Sequence, residues 1–557
     1  MAASTITVRP SAEEIARAAA AAMPSEVSTR PLLGILGVVT GAGLVTLAGR
    51  MLSLGLADLK GHVGISFDDG AWLDSAFNAS LMFIGPFTVY LGGLLGPRRV
   101  LLFAAGLFTV TSLFLPLIHS YSLLVAALIV AGLTSGTFYP LTLTFALRNI
   151  PLRYLPFTIA LYATFVDGAV NIAPSLYGWY RDHLSWHWMF WNSALIAPLM
   201  MMCIYFGIPP QPPRKKSGPA PSFAGFLYLS AGLALIFAAL QQGQRLDWWR
   251  SGEFNACFWS GSFFLLCALL RRLRAPNPLV ALPYLLKWNT ILLGCLLFWF
   301  RFTLCTTIIL IPQSLAIHGF EADQIGPAII WSSVPLLPIA FIAALLLSRK
   351  FDPRLLFAAG LACTAFAAGL CSQYTTAWAA ENFYRTELLV GVGQAFAFIG
   401  LVGCIVLQAI FTGGLAKAEW VLSFSAFFHV IRIFGGTAGA IYMGHFLAER
   451  EKLHSNLLGL HVSSGNWITD QNIRALTAGL YAKSSGLAAA SARAIDLIGS
   501  RLRLQAYSLS LLDGFLLIAW SCACALILVA LLRKSPLNYG DLSALQQIPG
   551  ARRRSNL

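Results

Sequence analysis

Apolar residues along this chain come in blocks and do not alternate. Runs of about 20 apolar residues, the length an α-helix needs to cross a hydrocarbon core, recur between short polar breaks from residue 32 to residue 532. Cut by that ruler, the pattern predicts fourteen spans: 32–56, 72–95, 100–118, 123–147, 157–179, 187–208, 223–240, 257–270, 289–315, 326–347, 355–371, 384–409, 421–446 and 511–532. In a bilayer the backbone polar groups must be satisfied within the segment, so these spans are read as helices. The expected fold class is an all-α polytopic membrane protein.

The polar breaks set the organisation. PPQPPRKKSGPAPS, at 209–222, is a Pro-rich basic linker that closes the first six spans. The arrangement expected is six plus two plus six: a tail (1–31), a six-helix bundle (32–208), a segment with linker and two extra spans (209–288), a second six-helix bundle (289–532) and a tail (533–557). Residues 12–23 of the first tail are read as a short helix. One long polar segment, 448–508, interrupts the second bundle. Its stretch LTAGLYAKSSGLAAASARAIDLIGSRLRLQAYSL carries apolar residues at helical spacing. It predicts an amphipathic helix resting on the outer face, as a plain connector or against a partner.

Composition agrees. Of 557 residues, 57% are hydrophobic and 11% charged, against about 25% charged in soluble domains. The formal charge of +15 sits mostly in the breaks of one side, at Arg98, Arg99, Arg148, Arg153, Arg214, Lys215, Lys216, Arg271, Arg272, Arg274, Lys287, Arg349, Lys350 and Arg354. The opposite short breaks hold Lys60, Arg181, Arg245, Arg250 and Arg385. By the positive-inside rule the first set and both termini are expected in the cytoplasm, with the chain in the cell's inner membrane. Basic residues so placed face lipid headgroups, and no nucleic-acid partner is expected. The start of the chain carries Glu13 and Glu14 and has no basic segment leading into an apolar one, so it does not read as a secretory signal. All ten cysteines fall in apolar runs without metal-ligand spacing and are read as buried apolar side chains. No cofactor or metal is implied, and no phosphate-cradling Gly-x4-Gly-Lys-Ser/Thr loop is present, so ATP is not the direct energy source.

Charges inside spans oppose the pattern: Arg50 in TLAGRMLSLGLADL, Asp167, Arg301, and Arg432 with His429. A cation at mid-bilayer costs about 3 kcal/mol on insertion scales, so each must meet a partner, a cavity or a ligand. Arg432 is assigned a hydrogen-bonding role and His429 a packed one. Glu387 and Asp513 fall near span ends and are expected to be solvated. Trp299, Phe300 and Phe302 flank Arg301, either to stack an organic ring or to face lipid.

Five stretches carry a family resemblance: NIAPSLYGWYRDHLSWHWMFWNSA, QQGQRLDWWRSGEF, LIPQSLAIHGFEADQIG, SRKFDPRLLFAAGL and FSAFFHVIRIFGGTAGA. Together they resemble the fourteen-span drug:proton antiporter branch (EmrB/QacA-like) of the major facilitator superfamily. The resemblance implies alternating access of two bundles around a midplane site, efflux of a small organic compound, proton coupling, and a periplasmic adaptor docked on 448–508. It makes the ninth span the counterpart of the first, so that Arg50 and Arg301 line one cavity. It places Gly168, Pro174 and Gly178 at a moving contact of the fifth span, and Arg98 and Arg99 in the basic motif after the second. Ala48 stands where the family has a first-span acid, Leu128 where it has a fourth-span arginine, and Gly93 where it has an aspartate.

Asp167 is the expected replacement for the missing acid. Arg50 lies roughly 27 Å up its span and Asp167 roughly 15 Å up the fifth, so the pair is expected to be linked through Asn171 and water. Two readings stand for Asp167, a proton carrier or a member of a static polar network. Two cavity arginines favour a carboxylate or other anion, because guanidinium groups form forked hydrogen bonds. The alternative function is a proton-coupled importer of an organic anion. A membrane-embedded enzyme or receptor fits poorly, since the nine histidines are scattered and no sizeable soluble segment is present.

Overall fold

The computed structural model describes residues 30–141, 150–208, 223–274, 285–411, 418–463 and 465–547. The expected N-terminal tail with its short helix and the linker at 209–222 lie outside the described residues. The described residues contain helices and no strand. Thirteen helical segments are long and apolar enough to cross a membrane. One more helix, α2 (Phe67–Leu95), has 29 residues and reaches about 44 Å at 1.5 Å per residue, which is consistent with fourteen spans.

Helices α1 (Pro31–Val63), α2, α3 (Pro97–Phe114), α4 (Tyr121–Ser135), α5 (Leu155–His183) and α6 (Trp188–Gly207) pack on one another. Small residues allow their close approach. A Cβ on Gly207 of α6 would meet Cα of Gly34 in α1 at 2.7 Å, and one on Gly132 would meet the Ser80 side chain at 2.9 Å. Helix α7 (Phe223–Gly243) lies against α2, and α8 (Gly252–Arg274) packs on α7 through a mutual glycine contact. There a Cβ on Gly232 would meet the Gly261 carbonyl at 2.9 Å and the converse contact is 3.0 Å. The expected short span at 257–270 is thus a full 23-residue helix. Its Trp259, Phe263 and Leu266 are exposed for lipid. Polar groups seat the pair: Gln241 bonds Asp74, Gln242 bonds Ser75 at 2.5 Å, and Arg245 pairs with Asp68 at 2.7 Å.

The second set has two interrupted spans. The ninth is α9 (Trp288–Thr303), a π-helical turn at Thr306–Leu310 and α10 (Ile311–Ala316). The span expected over 289–315 is present as Trp288–Ala316, with the α-helical ladder interrupted just before Pro312, which offers no N–H. The tenth is α11 (Ala322–Ile330), a 3-10 turn at Trp331–Ser333, and α12 (Leu336–Ser348), with Pro335 capping the break. Helices α13 (Pro353–Cys371), α14 (Ala380–Phe411), α15 (Ala418–Gly459) and α17 (Leu487–Leu531) complete the spans, with α16 (Trp467–Tyr481) packed along α17.

Helices α15 and α17 have 42 and 45 residues, or about 63 and 68 Å, against a hydrocarbon core of about 30 Å. They rise as a helical projection from one face. This corrects the expectation of a helix lying on the surface over 448–508: the polar stretch continues its flanking spans, with no proline to stop either helix. Asp513, expected to be solvated, is half-buried at the root of the projection, where it accepts from Arg450 at 2.6 Å and contacts His454 at 2.7 Å. On the opposite face α18 (Tyr539–Gln547) closes the chain. Its Tyr539 is buried and donates to the Gly403 carbonyl at 2.7 Å, and the helix packs against the Leu152–Tyr154 turn that leads into α5.

Candidate functional site

The two helix sets meet along α5 against α11 and α12, and along α2 against α15. Glycines set the first contact. A Cβ on Gly178 would meet the Asp323 Cα at 3.0 Å, and one on Gly326 would meet the Ser175 Cα at 2.6 Å. Arg181 closes that end with Glu321 at 2.6 Å, while Tyr177 hydrogen-bonds Asp58 of α1. Deeper in, Gly168 lies in ordinary contact with Leu336 at 3.7 Å, and Phe157 meets Phe341 near the opposite face at 6.2 Å between rings. Pro174 is buried inside α5. At the second contact a Cβ on Gly85 would meet the His429 ring at 2.7 Å. Arg98 and Arg99 lie elsewhere: Arg98 donates to the Tyr205 carbonyl at 2.8 Å and stacks on that ring, and Arg99 is exposed.

Between the contacts lies a polar centre. Arg432 of α15 donates to Thr46 Oγ1 of α1 at 3.1 Å, and its guanidinium lies 3.6 Å from the Tyr139 ring centroid. Tyr139 in turn lies 5.5 Å from Tyr162 and 5.6 Å from His429, ring to ring. Gly435 and Gly439 let α15 approach α9 closely: Cβ atoms there would meet the Cα atoms of Phe298 and Phe302 at 3.0 and 3.3 Å. That approach sets Arg301 beside Gly436. Asp167 of α5 is fully buried, within Coulombic range of Arg301 and Arg432, and its two oxygens have no hydrogen-bond partner among the described residues.

Arg50 does not have Asp167 as its counter-charge. It is half-buried and donates to the Ile308 carbonyl, in the π-helical turn, at 3.2 Å. The turn frees that carbonyl from the helical ladder. Asn171, expected to bridge Arg50 and Asp167, instead donates to Gln394 Oε1 at 2.9 Å, and Gln394 donates to Thr307 Oγ1 at 3.2 Å. Arg301 and Arg432 lie within Coulombic range of the acid without a hydrogen bond to it, while Arg50 is held at the turn. Phe300 is not free to stack a ligand, since it packs face to face on Phe398 with centroids 5.1 Å apart.

Glu387 lies deeper than its place near a span end suggested, and is wholly buried in α14. Sequence reasoning also passed over Thr46, Tyr139, Tyr162, Thr307 and Gln394. The usable signals were the amide at Gln394 amid apolar residues and the Tyr139-Pro140 pair.

Long apolar helices in two sets, meeting around buried charges at mid-span, define a polytopic membrane transporter. The profile of the Major Facilitator Superfamily matches residues 38–440, and the chain belongs to that superfamily. It is a secondary transporter and not an enzyme. The multidrug export protein EmrB of Haemophilus influenzae is 24% identical over 425 residues, covering 75% of this chain and 80% of that protein. The fatty acid resistance protein FarB of Neisseria gonorrhoeae is 23% identical over 409 residues, covering 73% and 78%. Among solved structures, the proton:xylose symporter XylE bound to 6-bromo-6-deoxy-D-glucose superposes with a TM-score of 0.54 at 12% identity, covering 94% of this chain and all of that one, a likeness of fold alone.

Proposed function

We propose that this protein exports small organic compounds across the inner membrane by alternating access, coupled to protons, with a preference for anionic cargo. The observation that carries the reading is the placement of Arg301 and Arg432 around the buried acid Asp167 where the two helix sets meet, with Arg50 held apart at the Ile308 carbonyl. Two guanidinium groups against one carboxylate leave a positive centre, which suits a carboxylate or sulfonate. Export as the direction is supported by the multidrug export and fatty acid resistance relatives. The face carrying the termini is assigned to the cytoplasm, as its basic breaks require, and the six-plus-two-plus-six division is kept. The projection of α15 and α17 then stands outside, and we assign it to a periplasmic adaptor in a two-membrane host. The moving contact is assigned to Gly168, Pro174 and Gly178 against α11 and α12.

The test is flux in reconstituted vesicles with an imposed pH gradient, with matched panels of organic anions and cations as competitors. Uphill anion efflux against proton influx supports the reading, and a cation-only profile overturns the charge preference. One observation favours the reverse direction: a proton on Asp167 and an anion at Arg301 and Arg432 stabilise each other's binding, which suits co-transport. Anion uptake accompanied by proton influx would establish that reading instead.

A further inference from the structure

Glu387 is 0% exposed in α14. Among the described residues no hydrogen bond within ordinary geometry and no ion pair involves its carboxylate oxygens. The Ser332 side chain lies beside it, but its hydroxyl donates to the Ile329 carbonyl at 2.6 Å. Neighbouring Arg385 points out and is exposed. From the elements packed around α14, the Cys371 thiol at the end of α13 is the titratable group within Coulombic range. Asp167, equally buried, has two arginines acting on it. An ionised carboxylate enclosed without a cation is strongly disfavoured, and such a group either takes a proton or is hydrated.

The place of Glu387 matters as much as its burial. It lies seven residues from the start of α14 at Ala380, about 10 Å below the projecting face. One turn further on, the absence of a side chain at Gly391 brings α14 against the backbone of Ser332. Ser332 belongs to the 3-10 turn that breaks the tenth span, and α11, just before that turn, forms the Gly178–Asp323 and Gly326–Ser175 contacts with α5. Because α5 packs on both α11 and α14, the closed contact holds the 3-10 turn against the helix that carries Glu387. Two turns along the same face stands Gln394, which accepts from Asn171, one turn from Asp167.

We propose that Glu387 is a second proton-binding residue, loaded from the projecting side, whose neutral form is required for α5 and α11 to close. The role rests on the proton-coupled reading above. A proton passes from water to the carboxylate while the outer side is open and hydrated, forming a carboxyl O–H. The contact then shuts over a neutral group. Opening rehydrates it and the proton can leave. An outward-facing carrier could not return without a proton at Glu387, so the return step depends on the pH of the projecting side, and the proton that crosses the membrane is the one carried by Asp167.

The test needs no cargo. Spectroscopic labels are placed by genetic encoding at Asp182 and Gln324, exposed positions on the two sides of the contact, so the ten native cysteines stay in place. The full chain in lipid nanodiscs should show a short-distance population that grows as pH falls. Glu387→Gln should hold the parent's low-pH distribution at every pH. A Glu387→Gln distribution that follows the parent's pH profile overturns the proposal. If that variant does not fold, a hydrophobic carbodiimide should form an adduct at Glu387 of the parent at low pH, located by peptide mass spectrometry. Its absence there equally overturns the role. Neither readout uses transport, so the proposal can fail while proton-coupled flux stands. Loss of that flux in the parent overturns the function itself and this role with it.

Discussion

The guanidinium of Arg432 lies 3.6 Å from the centre of the Tyr139 ring and donates to Thr46, so one side chain of the second helix set is held by two elements of the first. A desolvated cation–π contact contributes about 2 kcal/mol. Tyr139→Phe keeps the ring face and should stay closer to the parent's stability than a variant without the ring. Tyr139→Leu should lower the thermal unfolding midpoint in detergent, and equal midpoints for the two variants would remove the cation–π account.

Gly326 faces the Ser175 backbone with no room for a methyl, the nearest Cα being 2.6 Å from a built Cβ. Gly326→Ala must part α5 from α11. Transport should fall at least about tenfold, or 1.4 kcal/mol in the barrier, with membrane insertion unchanged. Flux at the parental rate would show that this contact does not limit the cycle.

Asp167→Asn keeps the shape and hydrogen-bonding capacity of the side chain and removes its charge. Arg301 and Arg432 would lose a buried counter-ion, which costs about 3 kcal/mol where a charge is left uncompensated. The expected outcome is loss of uphill, pH-gradient-driven transport together with a lower unfolding midpoint. Retained uphill transport at the parental rate would leave Asp167 as scaffolding.

On the terminal face, Lys350 pairs with Asp541 at 2.7 Å and holds its carboxyl below the usual carboxylate range. A lowered carboxylate contributes stability that is present above its unfolded value and lost as pH falls through its folded one. Protection against hydrogen exchange over 539–547, measured relative to the free-peptide rate at each pH, should therefore fall as pH drops below about 4. Asp541→Asn should show raised exchange already at neutral pH. Equal protection of the two proteins at neutral pH would dismiss the pair as a clasp for α18.

At the root of the projection Asp513 joins α17 to Arg450 and His454 of α15. Asp513→Asn should loosen α15 from α17 and raise protease cleavage between 460 and 487. Replacing 476–487 by a Gly/Ser linker should weaken capture of a periplasmic adaptor by the purified protein. Undiminished capture by a stably folded variant would place the adaptor elsewhere.

The sequence by itself determined that the chain is a bundle of membrane-crossing helices and roughly where each lies. Crossing a bilayer demands about 20 apolar residues with every backbone group paired internally, and that demand is local, so it can be read residue by residue. The family motifs likewise marked Gly178, Gly435 and Gly439, where backbones approach closely. Tertiary structure decided which charges meet. Arg50 and Asp167 were the obvious pair along the chain, yet Arg50 is held by a carbonyl that only the π-helical turn exposes, and Asp167 lies among arginines from helices more than a hundred residues away. Glu387 looked solvated because depth along a helix is visible in sequence, whereas burial depends on the neighbour, here a broken span pressed against Gly391. Coulombic and desolvation energies depend on distance through space, which periodicity along one helix does not carry.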